Sequence, residues 1–265
     1  NGRRRQRQMC IRDRLDAVGD SDMTFALYGL APSSGLHENK EQDTLYKLNL
    51  AYMPEENQTW YATISEGFRR GGINAVPTEG TFIEEEGWVP FTSDKVLNYE
   101  FGRKGITENN VYYNLSFYKV IWKDPQLNTD TPNYSFYAVI NGDEAKTQGI
   151  DIELKGTIGK LDWDFGYARN KSELTGDLFT PASTPLLYAP NGTSLPGTPE
   201  NMLNAGVAYT SYFNNGWGIV HRGNLYHQSD MKNHLSTSQS YNQDLESFSI
   251  VDLSSTLFND DMYIS

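Results

Sequence analysis

The side chains best suited to ligand chemistry are two consecutive arginines, Arg69 and Arg70, at the start of a long polar stretch. A guanidinium group donates charge-assisted hydrogen bonds to anionic groups, and Trp and Tyr rings provide stacking surfaces. The rings that lie in or beside such polar stretches are Trp88, Trp122, Tyr134 and Tyr137. Their use in a common site depends on the elements that position them.

The sequence carries no pattern typical of an enzyme. It has no G-x-S-x-G nucleophile elbow, P-loop or dinucleotide-binding fingerprint. Gly67, Gly71 and Gly72 flank the two arginines at the end of a predicted strand instead of opening a helix. The protein is therefore predicted not to be an enzyme.

Metal and cofactor sites are not predicted either. Four histidines are present, and their spacing matches no zinc motif: His37, His221, His227 and His234. The acidic run from Glu84 to Glu86 is interpreted as a solvated charge run in preference to a site for a divalent cation. The only cysteine, Cys10, allows neither an intrachain disulfide nor a CxxC metal site.

Charge is distributed unevenly along the 265 residues, whose net charge is −12. Six arginines and one aspartate give residues 1–14 a charge of +5, so the remainder carries −17. We expect the run RRRQRQMCIRDR to derive from a sequencing adaptor and to be disordered, which leaves residues 15–265 as the natural domain. The acidic body argues against binding of nucleic acid, because no basic stripe would neutralise phosphates.

The connections of the predicted strands alternate in length. Short polar turns are expected at residues 54–57, 105–110, 159–160 and 214–216. Long loops are expected at residues 70–92, 123–145, 172–199 and 229–246. Between them lie stretches of about ten residues with alternating apolar and polar side chains, as in strands that cross a bilayer. Short turns on one rim and long loops on the other are typical of an outer-membrane barrel.

The strand period is visible residue by residue. One face of the segment 111–122 carries apolar side chains: Val111, Tyr113, Leu115, Phe117 and Ile121. Lys119 is the one misfit on that face. We count ten or eleven such segments between residues 23–30 and 249–258, which predicts an all-β antiparallel sheet with one face toward lipid and one toward a wet lumen.

A soluble antiparallel sheet with one solvated face would produce the same alternation. Two observations favour the membrane barrel. The chain is rich in aromatic residues (13%), many of them at segment ends, where they suit interfacial girdles. Unstructured connections longer than about 15 residues are also uncommon in compact soluble domains.

Five motifs in order resemble successive strands of the barrel of a TonB-dependent receptor, a siderophore-receptor-like family. They are YATISEGFRRGGINA at 61–75, SDKVLNYEFGRKG at 93–105, NLSFYKVIWKDPQ at 114–126, KTQGIDIELKGTI at 146–158 and LPGTPENMLNAGVAY at 195–209. Their order and spacing match the later half of that barrel, over roughly residues 20–265. The chain is thus expected to be a fragment of the C-terminal half of a 22-stranded barrel that an N-terminal plug domain closes.

The resemblance implies active import across the outer membrane of a Gram-negative bacterium. The expected ligand is a ferric siderophore, with a cobalamin or a glycan as alternatives, and the expected partners are outer-membrane lipid and, through a plug absent from this chain, the TonB complex. It places six candidate ligand-binding residues near the outer mouth: Arg69, Arg70, Trp88, Trp122, Tyr134 and Tyr137. Seven residues would line the lumen or contact the plug: Glu100, Asp151, Glu153, Asp162, Asp164, Arg222 and Tyr226.

Simpler interpretations remain open at this point. Arg69 and Arg70 could instead anchor the strand end among lipopolysaccharide phosphates or lumen carboxylates. A passive porin shares the alternating strands and unequal rims, and a soluble or surface-anchored glycan-binding β protein would explain the aromatic loops. Neither alternative accounts for the five ordered motifs.

Overall fold

The computed structural model describes residues 9–15, 37–236, 242–260 and 262–264. Within them, ten strands form one antiparallel sheet. In chain order these are β1 Lys47–Glu55, β2 Gln58–Arg69, β3 Asp94–Ile106, β4 Tyr112–Lys123, β5 Glu144–Ile158, β6 Leu161–Leu174, β7 Asn201–Tyr212, β8 Gly218–Gln228, β9 Phe248–Phe258 and β10 Tyr263–Ile264. The predicted strand at 23–30 lies outside the described residues.

Every strand pairs with its neighbours in sequence, so the sheet is a simple meander. The four predicted short turns connect β1 to β2, β3 to β4, β5 to β6 and β7 to β8. In the tightest of them Gly159 has φ +65°, a conformation that glycine adopts without steric cost. In the described chain, β1 and β10 are the edges of the sheet, which is therefore open.

The two faces of the sheet have the predicted chemistry. The register places Phe101, Phe117 and Ile150 in one cross-strand row, and side chains of this face stay exposed, Leu253 at 81%. Large exposed apolar surfaces are rare on soluble monomers. The opposite face carries most of the polar side chains of the strands together with several glycines, among them Gly102, Gly149 and Gly206.

The four long connections are organised, and they contain the hydrophobic core. Each carries a short antiparallel pair: Gly72–Ile73 with Pro90–Phe91, Gln126–Asp130 with Tyr137–Asn141, Leu178–Phe179 with Leu187–Ala189, and Met231–Lys232 with Asp244–Leu245. We call residues 70–93, 124–143, 175–200 and 229–247 loops 1 to 4. Apolar side chains from all four pack with Ala145 and Leu174 into one cluster. Val220 of β8 is buried outside this cluster.

The beginning of the chain forms a separate element. Met9–Leu15 pairs antiparallel with His37–Asp43 in a two-stranded sheet. Residues 1–8 lie outside the described part, and the foreign origin of residues 1–14 and the boundary at residue 15 stay predictions. The described residues include no helix that is long and apolar enough to cross a membrane.

Candidate ligand site at the loop end of the sheet

A buried carboxylate organises the loop end of β2, β3 and β4. Asp94, the first residue of β3, is 1% exposed and lies opposite Arg69, the last residue of β2. Its Oδ2 accepts hydrogen bonds from Arg69 Nη2 at 2.5 Å and Nε at 3.0 Å, and from Trp122 Nε1 at 2.8 Å. The main-chain N–H groups of Arg69 and Gln126 donate to the same carboxylate, each at 3.2 Å. The negative charge is therefore buried but fully compensated.

Asp94 holds the Arg69 guanidinium group over an aromatic ring. Arg69 Cζ lies 5.0 Å from the centroid of the Trp122 ring, within the range of cation–π contacts. Arg69 Nη2 also donates to the main-chain oxygen of Gln126 at 3.3 Å. The side chain is 55% exposed. Its Nη1 group is not among the atoms bonded to Asp94 or Gln126.

This arrangement borders a recess of about 380 Å³ on the sheet. Its wall is mostly apolar, with Val96, Val120 and Trp122 beside Arg69 and Thr147. A guanidinium edge, paired with Asp94, over an apolar and aromatic floor suits a planar ligand whose oxygen atoms accept hydrogen bonds. The recess lies where loops 1 and 2 leave the sheet.

The other predicted mouth residues have different environments. Arg70, which follows β2, is exposed, and its main-chain oxygen accepts from Gln126 Nε2 at 2.7 Å. Trp88 is 1% exposed inside the loop cluster, so its ring offers no stacking surface in this conformation. The six predicted residues therefore do not form one surface. Two of them, Arg69 and Trp122, contact each other and line the same recess.

Both predicted tyrosines lie in loop 2, away from the recess. Tyr137 is 67% exposed and donates from its hydroxyl to Asn128 Oδ1 at 2.6 Å. The Tyr134 ring meets Phe82 edge to face at 5.0 Å, which ties it to loop 1. Tyr137 is thus accessible to a ligand, and Tyr134, which is 45% exposed, also contributes to packing between loops.

The interpretation of the acidic run 84–86 as solvated is wrong for Glu84. This side chain is 3% exposed and accepts from Asn133 Nδ2 at 3.0 Å and from the N–H of Tyr134 at 3.2 Å. Glu85 and Glu86 remain exposed. Loop 2 wraps around the Glu84 carboxylate, and only the folded loops supply the donors that make its burial possible.

Loops 1, 3 and 4 are joined by further polar contacts. Glu85 Oε2 accepts from the N–H of Ser183 at 2.6 Å, and this main-chain hydrogen bond lowers the pKa of the Glu85 carboxyl. In loop 3, burial raises the pKa of the Tyr188 hydroxyl, which lies 3.4 Å from His234 Nε2 of loop 4. The loops form a connected cap over the loop end of the sheet.

All seven residues predicted to line the lumen lie on the polar face of the sheet. The register places Glu153 and Tyr226 in one cross-strand row and Asp162 and Arg222 in another. Glu100, Asp151 and Asp164 occupy positions of the same parity. The shared face is a structural fact, and its assignment to a lumen stays a proposal.

Two polar clusters on this face show how its charges are held. Near the middle of the sheet, the Tyr61 hydroxyl donates to Glu100 Oε1 at 2.8 Å. At the turn end, Lys155 Nζ lies 4.3 Å from the centroid of the Tyr112 ring. Lys155 shares a recess of about 490 Å³ with Asp162, Asp164 and Arg222. In the part of the chain that the structure describes, no three His, Cys, Asp or Glu side chains converge as a metal site.

Sequence reasoning missed Asp94 and Gln126. Both lie inside motifs that were identified only as strand sequences, at 93–105 and 114–126. The sequence positions could have indicated the contact between Arg69 and Asp94. An arginine at the end of one strand and an acid at the start of the next face each other across the hairpin that joins them.

Comparison with known proteins agrees with this architecture. The family model described as TonB dependent receptor-like, beta-barrel matches residues 14–260. The chain belongs to this family of TonB-dependent receptor barrels. Over 141 residues, which are 53% of this chain, it is 27% identical to the pesticin receptor of Yersinia enterocolitica and 26% identical to that of Yersinia pestis.

Solved structures share the receptor-barrel fold. The ferric yersiniabactin uptake receptor FyuA of Yersinia pestis superposes with a TM-score of 0.60 at 21% identity, over 83% of this chain and 30% of that one. The siderophore receptor PiuA of Acinetobacter baumannii gives 0.62 at 18% identity, over 88% and 32%. The chain spans about a fifth of the length of the pesticin receptors and about three tenths of these solved receptors.

Proposed function

We propose that the protein to which this receptor-barrel chain belongs is an active importer of the outer membrane, which takes up a ferric siderophore with energy delivered through TonB. The observation that carries the proposal is the Arg69–Trp122 recess at the loop end of a family barrel sheet. Long loops of such barrels face the outside and short turns the periplasm. The recess would then be open to arriving ligands.

The chemistry of the recess favours an iron–siderophore complex over a glycan. The Arg69 guanidinium group suits an anionic complex, and Trp122 with Val96 and Val120 suits an aromatic one. A neutral sugar would need several polar groups around one ring, whereas this wall is mostly apolar. The solved relatives described as uptake receptors for ferric yersiniabactin and other siderophores support the same ligand class.

Membrane insertion follows from the exposed apolar face of the sheet. Leu50, Phe117 and Val251 project from that face with half or more of their side-chain surface open. Transfer of such side chains to lipid is favourable, and lipid excludes an open sheet edge, so the complete protein closes the barrel with further strands. We place it in the outer membrane of a Gram-negative bacterium, with a plug domain that contacts TonB.

A passive channel would place the same sheet in the same membrane. It differs from the proposed importer because it needs no energy from TonB. The decisive experiment uses the complete receptor from its natural reading frame in iron-starved cells, with uptake of ⁵⁵Fe-labelled ferric yersiniabactin and other ⁵⁵Fe-loaded siderophores measured with and without tonB. Import that requires tonB supports the proposal. Import of small solutes independent of tonB would establish a porin, and tonB-dependent import of cobalamin alone would overturn the siderophore assignment.

A further inference from the structure

An asparagine of loop 1 pairs with the main chain of loop 2. Asn74 Nδ2 donates to the main-chain oxygen of Val139 at 2.7 Å, and Asn74 Oδ1 accepts from the Val139 N–H at 2.8 Å. Val139 lies in the short strand Tyr137–Asn141 of loop 2. A primary amide carries the donor and the acceptor that a peptide group carries, so Asn74 pairs with this strand as a neighbouring strand residue would.

A second asparagine makes the same contact in the opposite direction. Asn141, in loop 2, accepts at Oδ1 from the N–H of Thr92 at 2.7 Å and donates from Nδ2 to the Thr92 oxygen at 3.0 Å. Thr92 lies in loop 1. The same Nδ2 donates to the main-chain oxygen of Asp124 at 2.8 Å, where loop 2 begins. Each of the two loops therefore binds the main chain of the other through one asparagine.

Gln126 connects these contacts to the ligand recess. Its Nε2 donates to the main-chain oxygens of Arg70 at 2.7 Å and of Thr92 at 3.0 Å, which belong to the two ends of loop 1. Its main chain contacts both partners of the ion pair in the recess, since its N–H donates to Asp94 and its oxygen accepts from Arg69. We call Asn74, Gln126 and Asn141 the amide seam.

The seam joins loops that also pack tightly. A Cβ atom at Gly71 would lie 2.4 Å from the main-chain oxygen of Phe91, so the two ends of loop 1 leave no room for a side chain between them. Both loops contribute buried apolar side chains to the loop cluster: Val76, Trp88 and Val89 from loop 1, and Leu127, Ala138 and Ile140 from loop 2. All three seam amides are only half exposed, so loss of an amide would leave shielded main-chain groups without partners.

We propose that the seam amides are positioning residues of the ligand site. They join loops 1 and 2 into one body, and this body holds Arg69, at the start of loop 1, over Trp122, at the start of loop 2. The recess is then formed before a ligand arrives, which spares the ligand the cost of ordering it. The inference rests on the proposed siderophore import, and it adds residues that act through Arg69 without touching the ligand.

The first measurement tests whether the two loops are one body. Spin labels on the complete receptor, with any native cysteine replaced by serine, are attached through E79C in loop 1 and P132C in loop 2, both at exposed positions. Double electron–electron resonance gives the distance between the labels with and without ferric yersiniabactin or the siderophore that the uptake experiment identifies. One narrow distance in both states is expected. A broad distribution, or a shift of the distance when the siderophore binds, would overturn the proposal.

The second measurement tests the seam itself. In N74L/N141L, uncharged side chains of similar shape replace the two asparagines, and the distribution of distances is expected to broaden. Q126L removes only the side-chain contacts of Gln126, so it tests the seam even where the double variant does not fold. The matched control N191L changes an exposed amide of loop 3 and is expected to keep the narrow distance. Narrow distances in both seam variants would overturn the proposal.

The third measurement separates positioning from stability. Loss of preorganisation is expected to weaken siderophore binding by about three- to tenfold in each seam variant. Since the seam acts through Arg69, R69K added to Q126L is expected to cause a smaller further loss than R69K causes alone. Additive losses, or unchanged affinity in Q126L, would overturn the positioning role. Failure of the wild type to bind or import any siderophore would reject the proposed function, whereas the distances would still decide whether loops 1 and 2 form one body.

Discussion

Asp94 binds the guanidinium group of Arg69 across the β2–β3 pair, with 2.5 Å between Asp94 Oδ2 and Arg69 Nη2. The acid is buried and the base is half exposed, so the contact ties a solvent-facing arginine to the interior of the loop end. The same oxygen accepts a hydrogen bond from Trp122 Nε1, so one carboxylate connects the loop ends of β2, β3 and β4.

Asp94→Asn is expected to destabilise the complete receptor by about 1–3 kcal/mol, because an amide cannot accept all six hydrogen bonds and the charge opposite Arg69 is lost. The measurement is urea unfolding of the receptor in detergent micelles. Asp252→Asn, at an exposed position of β9, is the control and should stay within about 0.5 kcal/mol of the wild type. Equal losses in both variants would contradict the role of Asp94.

Arg69→Lys is expected to weaken binding of ferric yersiniabactin, or of whichever siderophore is imported, by about tenfold, since an ammonium group neither stacks on Trp122 nor offers a planar fork. Quenching of tryptophan fluorescence gives the Kd. The control Arg169→Lys changes the same residue type on the opposite face, where Glu200 is its partner. Unchanged affinity in Arg69→Lys would remove this arginine from the ligand site.

Gly87→Ala should separate loop 1 from loop 3. A Cβ atom at Gly87 would lie 1.9 Å from the carbonyl oxygen of Pro181, so the backbone of loop 1 or loop 3 must shift to accommodate it. Such overpacking costs about 1–3 kcal/mol. Hydrogen–deuterium exchange should then rise in residues 178–189 while β5 and β6 stay protected. Gly67→Ala, which meets no atom within 4 Å, should leave the exchange of these residues as in the wild type.

The contact between Glu85 and Ser183 is expected to depend on pH. The folded state lowers the pKa of Glu85, so the contact adds stability above the ordinary carboxyl value of about 4.3 and loses it as the pH falls through the lower folded value. Exchange of the Ser183 amide proton, measured by NMR between pH 3 and 7 and corrected for intrinsic rates, should show lower protection at the acidic end. In Glu85→Gln the protection should be independent of pH, and a wild-type profile in that variant would assign the effect to another group.

Much of the fold was predictable because strand formation has a local signature. Side chains alternate with period two along any strand, so Leu115, Phe117 and Ile121 revealed the face of β4 without knowledge of its neighbours. Turn residues such as Gly159 marked the hairpins for a similarly local reason. The seven residues that the resemblance assigned to the lumen have this same parity in the structure.

The candidate site was less predictable because it depends on contacts between distant residues. Arg69 was recognised by its type, but its partner Asp94 is 25 residues away in the sequence, across a loop whose path the alternation does not describe. Trp88 looked like a stacking surface and is buried, and Glu84 looked solvated and is enclosed. Both errors have one origin, since burial in the loop cluster arises from the packing of four separate connections.

By itself, the amino-acid sequence determined the all-β antiparallel class, the placement of turns and long loops, and the chemistry of the two faces, because each of these is encoded in short-range periodicity. Only the tertiary structure decided which loop side chains are accessible and that Asp94 positions Arg69 over Trp122. Those relationships arise when the pairing register of the strands makes residues from different strands neighbours. The sequence of any single strand does not specify that register.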